Sequence, residues 1–221
     1  MSTMCKSFLA AVLVLALVQA PLQAAPATPV ASAFGVVLQA DRAVVGDNSA
    51  ANGASIFDGD ALITDAAGSL RARFGASQAY LPSKSSAVMH PLVGGFSASL
   101  VTGTIVLTSA PGETFRLLAD GAVIRPKSAE PAVAQVSLIS PRELILTSRR
   151  GELEVAAEGQ LQSIPEGTSY RMVIEPADPG APQGTAGAGS NRNKVIFIII
   201  AAAAVAAAVG LALALESPSK P

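Results

Sequence analysis

The chain has 221 residues, enough for one ordinary domain with accessory segments but not for two large domains. Half of the residues are hydrophobic, whereas 4% are aromatic and 14% are charged, a balance typical of chains that combine membrane segments with a soluble part. The formal net charge of −1 provides no basic surface for phosphate groups, so DNA and RNA are not expected as partners.

The first segment has the order of a secretory signal peptide. Lys6 precedes eleven apolar residues, 8–18, and a stretch rich in small residues follows them. A helix of that length measures about 16 Å, roughly half of a bilayer core, which favours a cleaved signal over a permanent anchor. We expect residues 1–24 to be removed by cleavage after Ala24, with Ala27 as the second candidate, and an uncleaved signal anchor is the alternative.

Residues 34–175 are expected to form one all-β domain. Short runs alternate apolar and polar residues with the period of two that strands have; they lie at 34–38, 69–74, 103–108, 143–147, 152–155 and 170–174. Within 69–74, Leu70 and Phe74 are predicted to face the core, and Arg71 and Arg73 to face water. Glycine-containing turns are predicted between the runs, at 58–60, 94–95, 111–112, 120–121 and 166–167.

One short internal repeat bears on the architecture. The segments 105–113 and 144–152 match with an offset of 39 residues, and each combines a strand, a turn and the start of a second strand. Two similar hairpin units that pack on each other bury a face that neither buries alone, which favours a short β-solenoid or β-roll of stacked hairpins. A β-sandwich with two similar hairpins is the alternative.

The end of the sequence predicts a tether and a membrane helix. Residues 176–193 are rich in Pro, Gly, Ala and Ser and are expected to be a flexible linker with a reach of roughly 24 Å. Residues 195–215 carry no polar side chain over 21 positions, about 32 Å of helix, and are predicted to form one C-terminal transmembrane α-helix. A short tail, 216–221, follows. The signal peptide implies that the β domain lies in the periplasm of a bacterial envelope.

The segment 53–74 resembles the FecR-like domain. It contains a Gly-Asp turn, an aliphatic residue, a threonine and a small-residue turn that leads into an alternating strand; these positions are Gly59, Asp60, Ile63, Thr64 and Gly68. The resemblance covers about 34–130 and extends towards 175. It implies a periplasmic β domain that senses a ligand or partner, as in the external half of sigma-factor regulators. Because the apolar helix follows the β domain here, direct control of transcription is not expected.

The five motif residues are interpreted mainly as structural. Asp60 in a Gly-Asp turn can accept backbone N–H bonds, and Thr64 can satisfy a second turn. Contact with a ligand is the less favoured interpretation of the same residues.

No catalytic, cofactor or metal site is predicted. His90 is the sole histidine and is interpreted as a surface or turn residue, because nothing in the sequence places an orienting group beside it. Asp58, Asp60 and Asp65 lack the spacing of a calcium loop. Cys5, the only cysteine, precedes the apolar run, so an internal disulfide is not expected.

The sequence therefore predicts a non-enzymatic, membrane-anchored envelope protein whose β domain binds another macromolecule. A protein partner is preferred to a glycan, since the chain has no tryptophan and only Tyr80 and Tyr170 could supply tyrosine rings for a sugar. A sensor or regulator component of an envelope signalling pathway is the first alternative. A cell-wall hydrolase is the second.

Overall fold

The computed structural model describes residues 32–175 and 194–200. These residues form sixteen β-strands: β1 (Gly35–Val45), β2 (Asn48–Ser49), β3 (Ser55–Ile56), β4 (Ala61–Phe74), β5 (Ser77–Leu81), β6 (Ser86–Leu92), β7 (Gly95–Thr102), β8 (Thr104–Ser109), β9 (Thr114–Ala119), β10 (Ala122–Pro126), β11 (Ala132–Ser140), β12 (Glu143–Arg150), β13 (Leu153–Ala157), β14 (Gln160–Ile164), β15 (Ser169–Glu175) and β16 (Lys194–Ile200). The all-β class is confirmed for this part of the chain.

All sixteen strands belong to one hydrogen-bonded sheet that divides at β4. Strand β1 pairs along one edge of β4. On the other edge, β6 pairs with the first half of β4 and β5 with the second half. From these two strands the sheet extends as two wings, which we call the first wing (β6, β7, β9, β10, β13, β14) and the second wing (β5, β8, β11, β12, β15, β16).

This topology differs from the β-solenoid or β-roll that the sequence favoured and from the β-sandwich that was the alternative. In a solenoid, successive coils stack through parallel pairs, whereas β7 and β9 form the one parallel pair found among the described strands. In a sandwich, two separate sheets face each other, whereas here the wings are continuous through β4. The hairpins extend each wing edge to edge, so the sheet grows by backbone hydrogen bonds.

The matched segments 105–113 and 144–152 do not form the two predicted hairpins, because each of them crosses from one wing to the other. Strands β8 and β12 both lie in the second wing, and each is followed by a turn and a strand of the first wing, β9 and β13 respectively. The matched glutamates of the two copies end these turns. The Glu113 carboxylate accepts hydrogen bonds from the Ser77 hydroxyl at 2.5 Å and from the Ala76 amide at 3.1 Å, which lower its pKa. Hydrogen bonds from Lys127 and Ser163 lower the pKa of Glu152.

One apolar core fills the space between the wings. The strands bury every second residue, as the alternation within 69–74 predicts: Leu70 and Phe74 are buried, and Arg71 and Arg73 are not. The Phe74 ring at the end of β4 stacks on Phe96 of β7 with 4.7 Å between centroids. Aromatic pairs of this kind contribute about 0.5–1.5 kcal/mol beyond the burial of their area.

The predicted membrane helix begins differently in the structure. Residues 194–200 form β16, which pairs antiparallel with β15 from Glu175↔Lys194 to Ser169↔Ile200. The run Val-Ile-Phe-Ile-Ile-Ile consists of β-branched and aromatic residues with high strand propensity, and the edge of β15 offers it backbone partners. The part of the chain that the structure describes contains no helix long and apolar enough to cross a bilayer. The predicted signal peptide, the linker, residues 201–215 and the tail lie outside the described residues.

Candidate functional site

The Gly-Asp turn of the segment 53–74 lies beside β6. Gly59 has a φ of 83°, and its amide donates to the Met89 carbonyl at 2.9 Å. The Asp60 carboxylate accepts from the Phe57 amide at 2.8 Å, which closes the turn as the sequence predicts. His90 lies in β6 and not in a turn. Its Nδ1 is 2.7 Å from the Asp58 carboxylate, an exposed pairing that the sequence did not indicate.

Thr64 is the fourth residue of β4 and directly follows the residues that pair with β6. Its side chain is buried, and its hydroxyl accepts from the Ser85 amide at 3.0 Å and lies 2.5 Å from the Pro82 carbonyl, to which it donates. These bonds hold the 82–85 connection, which joins β5 to β6, against β4. Ile63, by contrast, points outward and is 41% exposed.

Gly68 is required by close packing rather than by its φ. A Cβ at this position would lie 2.3 Å from the Arg42 carbonyl oxygen and 2.8 Å from that of Asp41. Strand β1 has an irregular register at this point, between Asp41 and Ala43, and crosses close to β4. Thr64 therefore holds the 82–85 connection against β4, and Gly68 allows β1 to pass close to β4.

Thr64→Val is expected to lower the free energy of unfolding by about 1–3 kcal/mol. Valine keeps the shape of threonine but leaves the Ser85 amide and the Pro82 carbonyl without their hydroxyl partner. Urea unfolding measures the change. Thr102→Val is the control, because Thr102 is also a threonine in a β-strand but is exposed. Equal urea midpoints for the two variants would show that the hydrogen bonds of the Thr64 hydroxyl do not stabilise the fold.

A cleft of about 460 Å³ lies at one end of the wings. Its walls are two hairpin turns that face each other, the β9–β10 turn of the first wing and the β11–β12 turn of the second. Gly103 lies between them, where the chain crosses from β7 to β8. The cleft is lined by Leu100, Val101, Thr102, Gly103, Asp120, Leu138, Ile139, Ser140 and Pro141. We call this the strand-end cleft.

The rim of the strand-end cleft is apolar and exposed. Val101 and Ile139 are 56% and 55% exposed, although both are large hydrophobic residues. Ile139 lies at a register irregularity between Leu138 and Ser140 in the pairing of β11 with β12. Such a bulge turns a side chain out of the regular alternation, and bulges are frequent beside functional sites. The apolar rim is therefore produced by the local strand geometry.

The first-wing wall of the cleft carries a carboxyl group in an unusual environment. Asp120 and Gly121 both have positive φ, 46° and 76°, and form the two-residue turn between β9 and β10. One carboxyl oxygen of Asp120, Oδ2, is closed off from solvent, and no group in the described ranges forms a hydrogen bond with it. Burial raises the pKa of the Asp120 carboxyl, and the charge of Arg142 opposes part of this effect. A hydrogen-bond donor brought by a ligand would satisfy this oxygen.

Asp120→Asn is expected to change the pH dependence of stability. The folded-state pKa of Asp120 lies above its ordinary value of 3.8, so the folded state binds the proton more tightly than the unfolded state does. The carboxyl therefore costs stability as pH rises through its folded pKa, and below 3.8 this cost is absent. Asparagine tolerates a positive φ and does not titrate. The other carboxyl groups contribute equally to both proteins and cancel in the difference.

The measurement is urea unfolding of both proteins at a series of pH values. The variant is expected to gain stability relative to the unsubstituted protein as pH rises from about 3 towards neutrality, and then to keep a constant advantage. A difference that does not vary with pH would contradict burial of the Asp120 carboxyl.

No protein-family model matches the chain, and no curated protein matches it either. Two crystal structures of a candidate anti-sigma factor from Parabacteroides distasonis are similar to it. Each has a TM-score of 0.45 and 9% sequence identity, and the similarity covers 64% of this chain and 60% of that one. The chain thus spans about 60% of the length of the solved structures that it matches. At this level of likeness, neither fold nor function passes from that protein to this chain.

Proposed function

We propose that this chain is a sensor component of an envelope signalling pathway whose all-β domain binds a protein partner, without catalysis, at the strand-end cleft. The observation that carries the proposal is a short structural connection. The carbonyl of Arg142, the residue that follows Pro141 of the second-wing wall, accepts a hydrogen bond from the Ile174 amide of β15 at 2.9 Å. Ile174 is in turn the register partner of Val195 in β16, where the apolar segment 195–215 begins.

The chemistry of the cleft supports a protein segment as the occupant. Ile139 and Val101 offer apolar contact, and Asp120 offers an acceptor to an N–H group. No aromatic residue lines the cleft, which makes it a poor platform for stacking a sugar ring. A peptide that brings an apolar side chain and a backbone or cationic N–H donor satisfies both surfaces.

The connection from the cleft to β16 supports a sensing role. Strand β15 lies between β12 and β16, and the salt bridge from Arg171 to Glu143, with 2.7 Å between Nε and Oε1, fixes it to β12 beside the cleft wall. A partner that orders the cleft wall also favours the β15 position in which the Ile174–Arg142 bond forms. An occupied cleft therefore holds β16 in the sheet, and an empty cleft makes its release easier.

A second candidate function is partner binding without signalling. The exposure of Val101 and Ile139 favours it, since exposed apolar residues at one site are typical of protein contact surfaces. The two candidates differ in one respect: a passive binding module retains its affinity at the cleft whatever happens to β16.

Site-specific photo-crosslinking in intact cells tests the binding site. A photoreactive residue at Ile139 is expected to give a discrete adduct, whereas one at Val93, which is 98% exposed in the turn before β7, is not. Val101→Asp places a charge on the cleft rim and is expected to weaken the Ile139 adduct. Leu161→Asp is the matched control, because Leu161 is 65% exposed on β14 and does not line the cleft. The same pattern of adducts from positions 93 and 139 would overturn the proposal.

A further inference from the structure

Strand β16 is seated in the sheet as a peptide would be. Seven consecutive residues pair with β15 in antiparallel register. Val195 is buried in the core. Phe197, the register partner of Met172, also packs against the core. Large apolar side chains at two alternate positions therefore fill the core side of this edge, while the backbone supplies the hydrogen bonds. Addition of a strand to a sheet edge is a recurrent mode of peptide recognition.

The other face of β16 does not suit permanent contact with water. Ile196 and Ile198 point outward and are 39% and 47% exposed. Ile199 lies on the same face as Val195 and Phe197, but it is 67% exposed near the end of the strand. The neighbouring strand β15 carries Arg171 on that outward face, as a half-buried strand normally does. An edge strand with apolar residues on both faces lacks the charges that usually protect a sheet edge. The sequence of β16 is therefore suited to a second environment as well.

The length of the apolar segment indicates that second environment. A helix over 195–215 measures about 32 Å and reaches across the hydrocarbon core of roughly 30 Å. Without 195–200, the remaining fifteen residues reach only about 22 Å. Residues 195–200 can thus complete the sheet or complete a membrane span, but they cannot do both at once.

Departure of β16 leaves a groove that requires a new strand. The backbone groups along β15 lose their partners, and the core side chains of Met172 and Ile174 lose the cover of Val195 and Phe197. Unpaired backbone groups and uncovered apolar side chains at a sheet edge both favour the binding of an extended chain.

We propose that the edge of β15 is a strand-exchange site. An extended segment of a partner protein, six or seven residues long, antiparallel to β15 and carrying large apolar residues at two alternate positions, replaces β16 there. The inference rests on the proposed sensing function, because release of residues 194–200 is the step that an empty cleft favours. It adds the chemical class of the segment that is exchanged and the edge at which the exchange occurs.

The test uses the full chain with Cys5→Ser and a fluorescent peptide of sequence Lys-Val-Ile-Phe-Ile-Ile-Ile extended by lysines for solubility. Phe197→Lys weakens the seating of β16, since Phe197 faces the core, and Ile198→Lys is the control on the outward face. The peptide is expected to bind the Phe197 variant about tenfold more tightly than the Ile198 variant, because affinity scales with the fraction of protein in which the groove is open. Equal affinities would overturn the inference.

A disulfide tests the same site without weakening the strand. Val173 and Ile196 are register partners on the outward face, so cysteines at these positions are placed to form a disulfide across β15 and β16. Peptide binding is expected to be lost on oxidation and restored on reduction. Binding that is insensitive to oxidation would also overturn the inference. Both measurements read only the β15 edge, so their outcome is separate from that of the Ile139 adduct, which tests the proposed function.

Discussion

Phe96→Ala is expected to lower the free energy of unfolding by about 3–5 kcal/mol. Phe96 is fully buried in the first wing, stacks on Phe74 and approaches Phe115 with 6.4 Å between centroids. Phe74 belongs to the part of β4 that pairs with the second wing, so the ring of Phe96 packs across the core between the wings. Alanine removes this contact and leaves a cavity, since a close-packed core collapses only partly around a lost ring.

Urea or thermal unfolding of the isolated variant measures this loss. Leu161→Ala is the control, because Leu161 is a large apolar residue that is 65% exposed. Its effect is expected to stay within about 0.5 kcal/mol. Similar losses for the two variants would contradict a single core that joins the wings.

Gly103→Ala is expected to cost about 2–4 kcal/mol. Gly103 has a φ of 77°, and a Cβ there would lie 2.3 Å from the Lys84 carbonyl oxygen and 2.6 Å from the Ser85 hydroxyl. The backbone on both sides is fixed: the Thr104 amide donates to the Ser85 hydroxyl at 3.0 Å, and the Leu138 amide donates to the Gly103 carbonyl at 2.9 Å. A side chain therefore displaces the crossing between the wings.

Gly121→Ala separates the backbone cost from the steric cost. Gly121 has nearly the same φ, 76°, but nothing lies within 4 Å of the position of its Cβ. Its substitution is expected to cost about 1–2 kcal/mol, the conformational penalty alone. Unfolding midpoints of the two variants measure the difference, and a Gly103 variant as stable as the Gly121 variant would contradict the crowded crossing. Because Gly103 also lies in the cleft, the comparison tests the base of the candidate site.

The local structure of the domain could be predicted because local patterns determine it. Alternation within 69–74 specifies which side chains enter the core, since a strand turns successive residues to opposite faces. The five predicted turns, at Gly59, Gly94, Gly112, Gly121 and Gly167, each contain a glycine with positive φ. The backbone geometry of a tight turn restricts the residues that can occupy it, so these positions are visible in the sequence.

The order of the strands could not be predicted, because non-local pairing determines it. Nothing near β4 in the sequence indicates that its two halves support different wings. The match between 105–113 and 144–152 was interpreted as two stacked hairpins, whereas each segment crosses between the wings. The strand-end cleft was missed for the same reason: Asp120 and Ile139 are nineteen residues apart in sequence and lie in different wings. The Asp-Gly turn was the only local signal at this site.

The segment 195–200 shows a different limit of prediction. A short run of apolar residues lacks the periodicity that distinguishes a strand from a buried or membrane helix. Its continuation through 215 favoured a helix, whereas the edge of β15 provides a place for it as a strand. Both conclusions follow from physical properties of the same six residues, and this dual fit underlies the proposed exchange of strands.

Coupling of the strand-end cleft to β16 through β15 is tested most directly by the yield of the Ile139 adduct in cells that produce the Phe197→Lys chain. Coupling between two sites is reciprocal, so loosening β16 must weaken binding at the cleft. The yield is expected to fall about fivefold or more relative to the unsubstituted chain, and to be unchanged in Ile198→Lys. The same yield from all three chains, at equal protein levels, would contradict the coupling.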